Sequence, residues 1–464
     1  MNKCPSSLPK LHIIGAGSIG LLFASSIRTA RPNFPVRLLL RSRHRQNLNA
    51  YDEIIKAVPR SDHLRNLDSF GSHNIKCRLS SLMAKNCANI LSKGDLKIVV
   101  TNPCQILKNA HTDFIDDATH YILATLYSKQ LRQTSIIDIP SELILEENIL
   151  HVNGKPCLEK DDWIQNIVLA TKAPDAANAL KSVVHRLDPR GSNIIVLTNG
   201  ALAVVEELQE VLNNMNDLNS DSQYNKKVNA KIIMASTTHG SHCGSNEDYV
   251  FDRRAGVYKC YHVEHAGVGN VYLESDEEIA DRNNHGLLHE DAISTLLTDA
   301  GLQPKYLPRD EMYVMHWKKL AANCVINPLT ALRRCTNGEL TYRTDKKKLF
   351  KNKYLSYNNP NIMKDLIYEI SKVAMAESKR RSTKTIDNEE NFSEKEITKF
   401  IESVIANTAN NKSSMLQDII AKRHPTEVKY LNGYVVRLGV YKYGLSMKAN
   451  NYLIKEIERL SGSF

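Results

Sequence analysis

The chain has 464 residues, 42% of them apolar and 24% charged, with a formal net charge of +10. That length exceeds what one hydrophobic core organises, so two domains are expected. The balance of apolar and charged residues excludes a disordered chain, and no run approaches the roughly 18 consecutive apolar residues of a membrane span.

The opening MNKCPSSLPK has neither the apolar stretch of a secretory signal nor the Arg-rich helix of a transit peptide. Nine cysteines are scattered without a C-x-x-C pair, which argues against a disulfide framework or a zinc site and for a reducing compartment. A cytoplasmic protein with no metal and no membrane partner is expected. The basic excess is local: residues 341–354 carry six basic residues against one acid, and Lys379, Arg380, Arg381 and Lys384 add four more. Such runs are usually solvated faces, so no nucleic-acid partner is expected.

In chain order, LHII, GAGSIG and LLFASSIRTA (11–30) read as strand, glycine turn and helix, and VRLLL (36–40) as a second buried strand. Residues 44–130 are mixed in texture, without βαβ rhythm. They read as an insertion at the sheet edge, partly ordered at 95–100 and 124–127. NIVLAT (166–171) and NIIVLT (193–198) flank a helix-like PDAANALKSVVHRL, a βαβ pattern that implies a parallel sheet covered on both faces. The Asn/Ser-rich stretch 212–228 predicts a surface loop. Strand-like runs follow at 231–237 and 269–275, a helix at 290–300 and a short KYL near 305. Helical periods then dominate, broken by polar stretches at 341–360 and 379–395. The expected architecture is an N-terminal α/β domain of doubly wound Rossmann type over 1–306 and an all-α domain over 307–464.

Three clusters carry chemistry. Gly15-Ala16-Gly17-Ser18-Ile19-Gly20 matches the G-x-G-x-x-G dinucleotide fingerprint, in which the glycines permit a tight turn, approach of a pyrophosphate and close helix–strand packing. At the end of the second strand, where an NAD site carries an acid, stand Arg41 and Arg43. Guanidinium groups there favour a 2′-phosphate, hence NADPH. In HWKKLAANCVINP, Lys319, Asn323 and Asn327 are spaced i, i+4, i+8 on one helix face, and Pro328 is expected to kink or break that helix. By spacing alone this stripe reads first as a polar outer face. Further on, Ser414 and Gln417 form a capping-box pattern that would start a helix at Ser414, and Glu427 would open another behind Thr426 as N-cap.

Taken together, KLAANCVINPLTALRRCTNGEL (319–340) and SSMLQDIIAKRHPTEVKYLNGY (413–434) resemble the two signatures of the ketopantoate reductase (2-dehydropantoate 2-reductase) family. ATKAPDAANAL (170–180), LTNGALAVVEEL (197–208), THG (238–240) and HAGVGNV (265–271) resemble further family segments in the family's order. The resemblance implies a helical domain of the 6-phosphogluconate dehydrogenase C-terminal-like type. It also implies NADPH-dependent reduction of 2-dehydropantoate to (R)-pantoate, in pantothenate and coenzyme A biosynthesis. It implies Lys319 as general acid, Asn323, Asn327, Ser414 and Glu427 as substrate-binding residues, and Lys172 and Asn199 at the cofactor–substrate junction. A homodimer is compatible with it. Two departures stand out: one extra residue between Ser414 and Glu427, and Ala203 where the family has a glycine. The alternatives are reduction of another branched 2-oxo acid, or a retired homologue that binds RNA or protein through its basic segments.

Overall fold

The apolar runs buried on both faces become strands. Leu11–Ile14 (β1), Val36–Arg41 (β2), Asn166–Leu169 (β3), Ser192–Val196 (β4) and Ala230–Thr237 (β5) lie side by side, all parallel, in the order β2-β1-β3-β4-β5. The structure is a computed structural model that describes residues 10–41, 97–100, 117–127, 132–144, 151–152, 155–156, 163–220, 229–243, 249–252, 256–275, 290–342, 361–381, 388–423 and 425–462. Val271–Glu274 (β6) adds antiparallel to β5, and Pro304–Leu307 (β7) adds parallel to β6. Successive residues alternate between two cores. Ile13, Leu38, Val168 and Ile195 face one side, and Ile14, Leu39, Leu169 and Val196 face the other. Helices Ser18–Ala30 (α1) and, further along, Glu290–Asp299 cover the first core, whereas Ala173–Lys181 (α2) and Ala201–Ser220 (α3) cover the second. This is the doubly wound arrangement expected.

Two expectations for this half need correction. The segment 212–228 is not wholly loop, because α3 continues to Ser220; Val211 and Leu212 are buried on the sheet and carry the helix into Asn-rich sequence. Burial of an amphipathic face outweighs weak intrinsic propensity. Nor is the 44–130 region confined to the sheet edge. Strand Asp117–Tyr127 lies inside the sheet, between Gly256–Gly267 and an unforeseen strand Arg132–Ile144 that runs parallel to β2. Lys97–Val100 also pairs with Arg132–Ile144.

The rest of the chain is helical and wraps one long helix, Arg309–Arg333 (α4), whose Trp317, Ala321, Cys324 and Val325 are buried. Around it pack Ile362–Arg381, Glu394–Asn407, Ser414–Ile420 (α5) and Lys448–Gly462. Pro328 does not break α4. A proline at 328 removes the N–H that would bond the carbonyl of Cys324. That carbonyl instead accepts a hydrogen bond from the buried Asn432 amide at 2.9 Å, so the polar deficit is met from another element. Lys379, Arg380 and Arg381 are exposed in the last turn of their helix, where positive charge is favoured. Residues 343–360 and Lys384 lie outside the described residues.

Candidate active site

The glycine turn sits at the C-terminal end of β1, the edge of an open parallel sheet where ligands bind. Gly15 has φ +115°, and a Cβ there would lie 2.6 Å from the Ala170 backbone; one on Gly20 would lie 1.9 Å from the Gly15 carbonyl oxygen. Beyond its chain neighbours, a Cβ on Gly17 would meet no atom of the described residues within 4 Å. Gly17 is also the N-cap of α1; it supplies no side-chain cap, and the first turn carries no acid. Ala16 and Ile19 pack on the sheet core, and the Ser18 carbonyl accepts from Ser241 Oγ at 2.9 Å. At the adjacent end of β3, the buried Thr171 hydroxyl has no hydrogen-bond partner among the described residues. An open glycine, a helix N-terminus without a side-chain cap and an orphaned hydroxyl together form a cradle that fits a dinucleotide pyrophosphate. The backbone of Arg41 ends β2; Arg43 lies outside the described residues.

Across from this edge runs α4. Its His316, Lys319, Leu320 and Asn323 line a cavity whose opposite wall is Thr198–Leu202, the turn from β4 into α3. Lys319 Nζ donates to Ser236 Oγ on β5 at 2.7 Å. Burial lowers the Lys319 pKa to about 8, with the Glu427 charge acting in the other direction. His316, one turn earlier, is held neutral by burial with a pKa of about 3, and its buried Nε2 has no partner among the described residues. Farther along the same stripe, the Asn327 amide donates to Ser414 Oγ at 3.4 Å.

A helix does start at Ser414, but Ser414 is not its cap. Ser413 is the N-cap of α5 and accepts from Leu416 N–H at 3.2 Å, which leaves Ser414 exposed in the first turn and its hydroxyl on the Asn327 side. Glu427 likewise opens a short 3-10 turn, Glu427–Lys429, rather than an α-helix, and Thr426 makes no side-chain cap. Its buried carboxylate reaches the Rossmann half. Oε1 accepts from Ala173 N–H at 3.2 Å, at the N-terminus of α2, and Oε2 accepts from the Asn199 amide at 3.4 Å. Burial raises its pKa, against the pull of those two hydrogen bonds and of Lys172. Lys172 is paired with Asp418 at 2.6 Å. The structure therefore gathers Lys319, Asn323, Asn199, Lys172 and Glu427 around one junction of the two halves, with Asn327 and Ser414 beside it. Ala203 is buried in the first turn of α3 and packs into the helical core.

Ser236, His316 and Asp418 were given no role from sequence. Ser236 was in principle findable, since it lies at the C-terminal end of a parallel strand. His316 precedes Lys319 by three residues and so shares its face. Asp418 had no local signal, because its partner is 246 residues away in the chain.

This arrangement, a dinucleotide-type sheet edge facing a half-buried lysine on a helical domain, defines an oxidoreductase of Rossmann type. Two family models match the chain: "Ketopantoate reductase PanE/ApbA" over residues 120–277, and its C-terminal counterpart over 311–461. The 2-dehydropantoate 2-reductase of Salmonella typhimurium is 27% identical over 317 residues, 68% of this chain and 79% of its own. A PanE/ApbA family ketopantoate reductase from Ralstonia eutropha has a similar fold, with a TM-score of 0.53 at 15% identity over 98% of each chain. So does D-mandelate dehydrogenase solved with NADH and anilino(oxo)acetate, with a TM-score of 0.54 at 16% identity over 98% of each chain. The chain belongs to the ketopantoate reductase family. Among the described residues no helix is long and apolar enough to cross a membrane, and no group of three or more His, Cys, Asp or Glu is placed to hold a metal.

Proposed function

We propose that the protein reduces 2-dehydropantoate to (R)-pantoate with NADPH, as a cytoplasmic enzyme of pantothenate biosynthesis. The observation that carries this is the position of Lys319, half-buried and anchored, in the cavity between the glycine-turn edge of the sheet and the helical half. The cofactor, when bound, supplies the hydride. Gly15 to Gly20 would receive its pyrophosphate on the α1 N–H groups, and Arg41 and Arg43 would select the 2′-phosphate.

Lys319 acts as general acid. Its Nζ–H proton passes to the ketone oxygen as negative charge develops there, and the N–H electron pair stays on nitrogen. A pKa of about 8 keeps the amine protonated at neutral pH while leaving it a competent donor. Charge on the same ammonium stabilises the developing alkoxide in a cleft shielded from water. Asn323 and Asn327 orient the substrate, Ser414 receives its carboxylate, and Glu427 accepts from its hydroxyl. Lys172 and Asn199 hold the junction. The division at residue 306, a cofactor half and a catalytic half, is part of the same proposal.

Fold alone does not choose the acid, since the same fold carries D-mandelate dehydrogenase. NADPH oxidation is therefore followed with ketopantoate beside a panel of branched 2-oxo acids. Ketopantoate is expected to give the highest kcat/KM, and Lys319→Ala to lower kcat by about 10²–10⁴-fold. Folded wild type that ignores ketopantoate but turns over another acid would transfer the proposal to that substrate. Inactivity on the whole panel, with salt-dependent RNA binding, would favour the retired homologue. Light scattering reads whether the enzyme is a homodimer.

A further inference from the structure

Lys319 belongs to the helical half, but the cofactor would sit on the sheet. A long, flexible side chain that crosses between them needs something to fix its end, because an unanchored ammonium samples many rotamers. We propose that Ser236 is the positioning residue for Lys319: its hydroxyl, at the end of β5, holds the lysine ammonium from the cofactor side of the cleft. This builds on the assignment of Lys319 as general acid.

The geometry is specific. Lys319 Nζ donates to Ser236 Oγ at 2.7 Å, the short distance of a charge-assisted hydrogen bond. Ser236 is itself buried, on a strand whose backbone is paired to β4 on one side and to β6 on the other, Ser236 opposite Tyr272. The acceptor is therefore rigid with respect to the sheet edge, although the donor comes from the other half of the molecule. An ammonium has three N–H bonds. With one committed to Ser236, two remain for a ligand in the cavity that Lys319 lines with Asn199 and Asn323.

Among the described residues, the charged groups around the ammonium are engaged elsewhere or neutral. Glu427 favours the charged form through its field, but its two oxygens accept from Ala173 and Asn199. His316, on the same helix, is neutral. On the neighbouring strand, Glu274 bonds Arg309 at 2.7 Å and the Met234 N–H at 3.4 Å. Lys172 is engaged with Asp418. An acceptor on the ammonium favours its protonated form, so removing the hydroxyl lets burial push the lysine further down. A general acid works below its pKa; the basic limb of the pH profile would then move to lower pH.

The test uses Ser236→Ala, Ser236→Thr and Ser236→Cys in the full chain. Threonine keeps the oxygen and suits a strand. Cysteine nearly keeps the volume, but its sulfur is a weak acceptor. Competitive acetylation of Lys319, read by mass spectrometry across pH, measures the amine without any turnover. In parallel, kcat and KM are measured with ketopantoate and NADPH from pH 6 to 10. Expected is a downward shift of the Lys319 labelling midpoint and an about tenfold loss of kcat, with KM within about twofold, in Ala and Cys. The basic limb should move in the same direction, and Thr should restore all three.

A labelling profile in Ser236→Cys that superimposes on wild type overturns the proposal, as does a Thr variant that behaves like Ala. If the labelling midpoint moves as expected while wild type fails to reduce ketopantoate, the positioning role stands and the substrate assignment falls.

Discussion

The glycine turn yields a paired prediction in which fold and cofactor binding separate. At Gly20 an added methyl would fall 1.9 Å from the Gly15 carbonyl oxygen, backbone against backbone, where neither side can swing away. Overpacking of this kind costs about 1–3 kcal/mol or more, and the rigid neighbour puts Gly20→Ala at the upper end. At Gly17 the same methyl meets no atom of the described residues within 4 Å beyond its chain neighbours, and φ −86° with ψ −179° is extended backbone that alanine adopts freely. Loss of a tolerated N-cap glycine and the reduced freedom of the unfolded chain roughly cancel, so Gly17→Ala should keep its stability to within about 1 kcal/mol. Its methyl nevertheless fills the space above the α1 N–H groups where a pyrophosphate would rest. Loss of two charge-assisted hydrogen bonds there, about 1.5 kcal/mol or more each, corresponds to at least a hundredfold weaker NADPH binding. Urea unfolding by circular dichroism and fluorescence titration with NADPH read the two quantities. A Gly17→Ala protein that is stable and binds NADPH as tightly as wild type would refute the placement of the pyrophosphate. A fully stable Gly20→Ala would refute the packing argument.

The remaining expectations are briefer. Replacing Arg41 and Arg43 by alanine should weaken NADPH at least about tenfold while leaving NADH nearly unchanged; equal losses would exclude a 2′-phosphate clamp. His12, His265 and His316 are kept neutral chiefly by burial, with pKa values of about 3, 4 and 3. Unfolded histidine takes up its proton near pH 6.5, so the unfolded chain binds more protons below that and stability falls as pH drops from about 6.5 toward 4. His12→Leu should remove up to about 1.4 kcal/mol per pH unit of that slope, and an unchanged slope in urea titrations would contradict the assignment. Tyr434 donates to Glu206 of α3 at 3.0 Å, and Arg437 bonds the other oxygen at 2.6 Å, tying the helical half to the sheet half. A double-mutant cycle of Tyr434→Phe with Glu206→Gln should show a coupling of about 1 kcal/mol; strict additivity would mean the contact does not join the halves.

Much of this molecule is written in local pattern. Strands β1 to β5 were legible because burial on both faces demands unbroken apolar runs, and α1 because the glycines and the helical period coincide. The stripe of Lys319, Asn323 and Asn327 was legible as a geometric fact, since 3.6 residues per turn places them on one face. Whether that face met solvent or a cleft was not. Only the packing of α4 against the Thr198–Leu202 turn decides it.

Other features depended on distant partners. Pro328 should interrupt its helix, but Asn432, a hundred residues on, takes the carbonyl it leaves unbonded. Asn-rich sequence after Leu212 should leave the helix, but burial of the preceding turn holds it. Ser414 has the pattern of a cap, yet Ser413 takes that position and frees the next hydroxyl for Asn327. Lys172 with Asp418, Glu427 with Ala173 and Asn199, and Lys319 with Ser236 join residues 83 to 254 positions apart. Sequence by itself determined the family and most strands of the parallel sheet, because those follow from neighbours along the chain. Tertiary structure alone decided which oxygen each lysine reaches, because that depends on how two separately built halves meet.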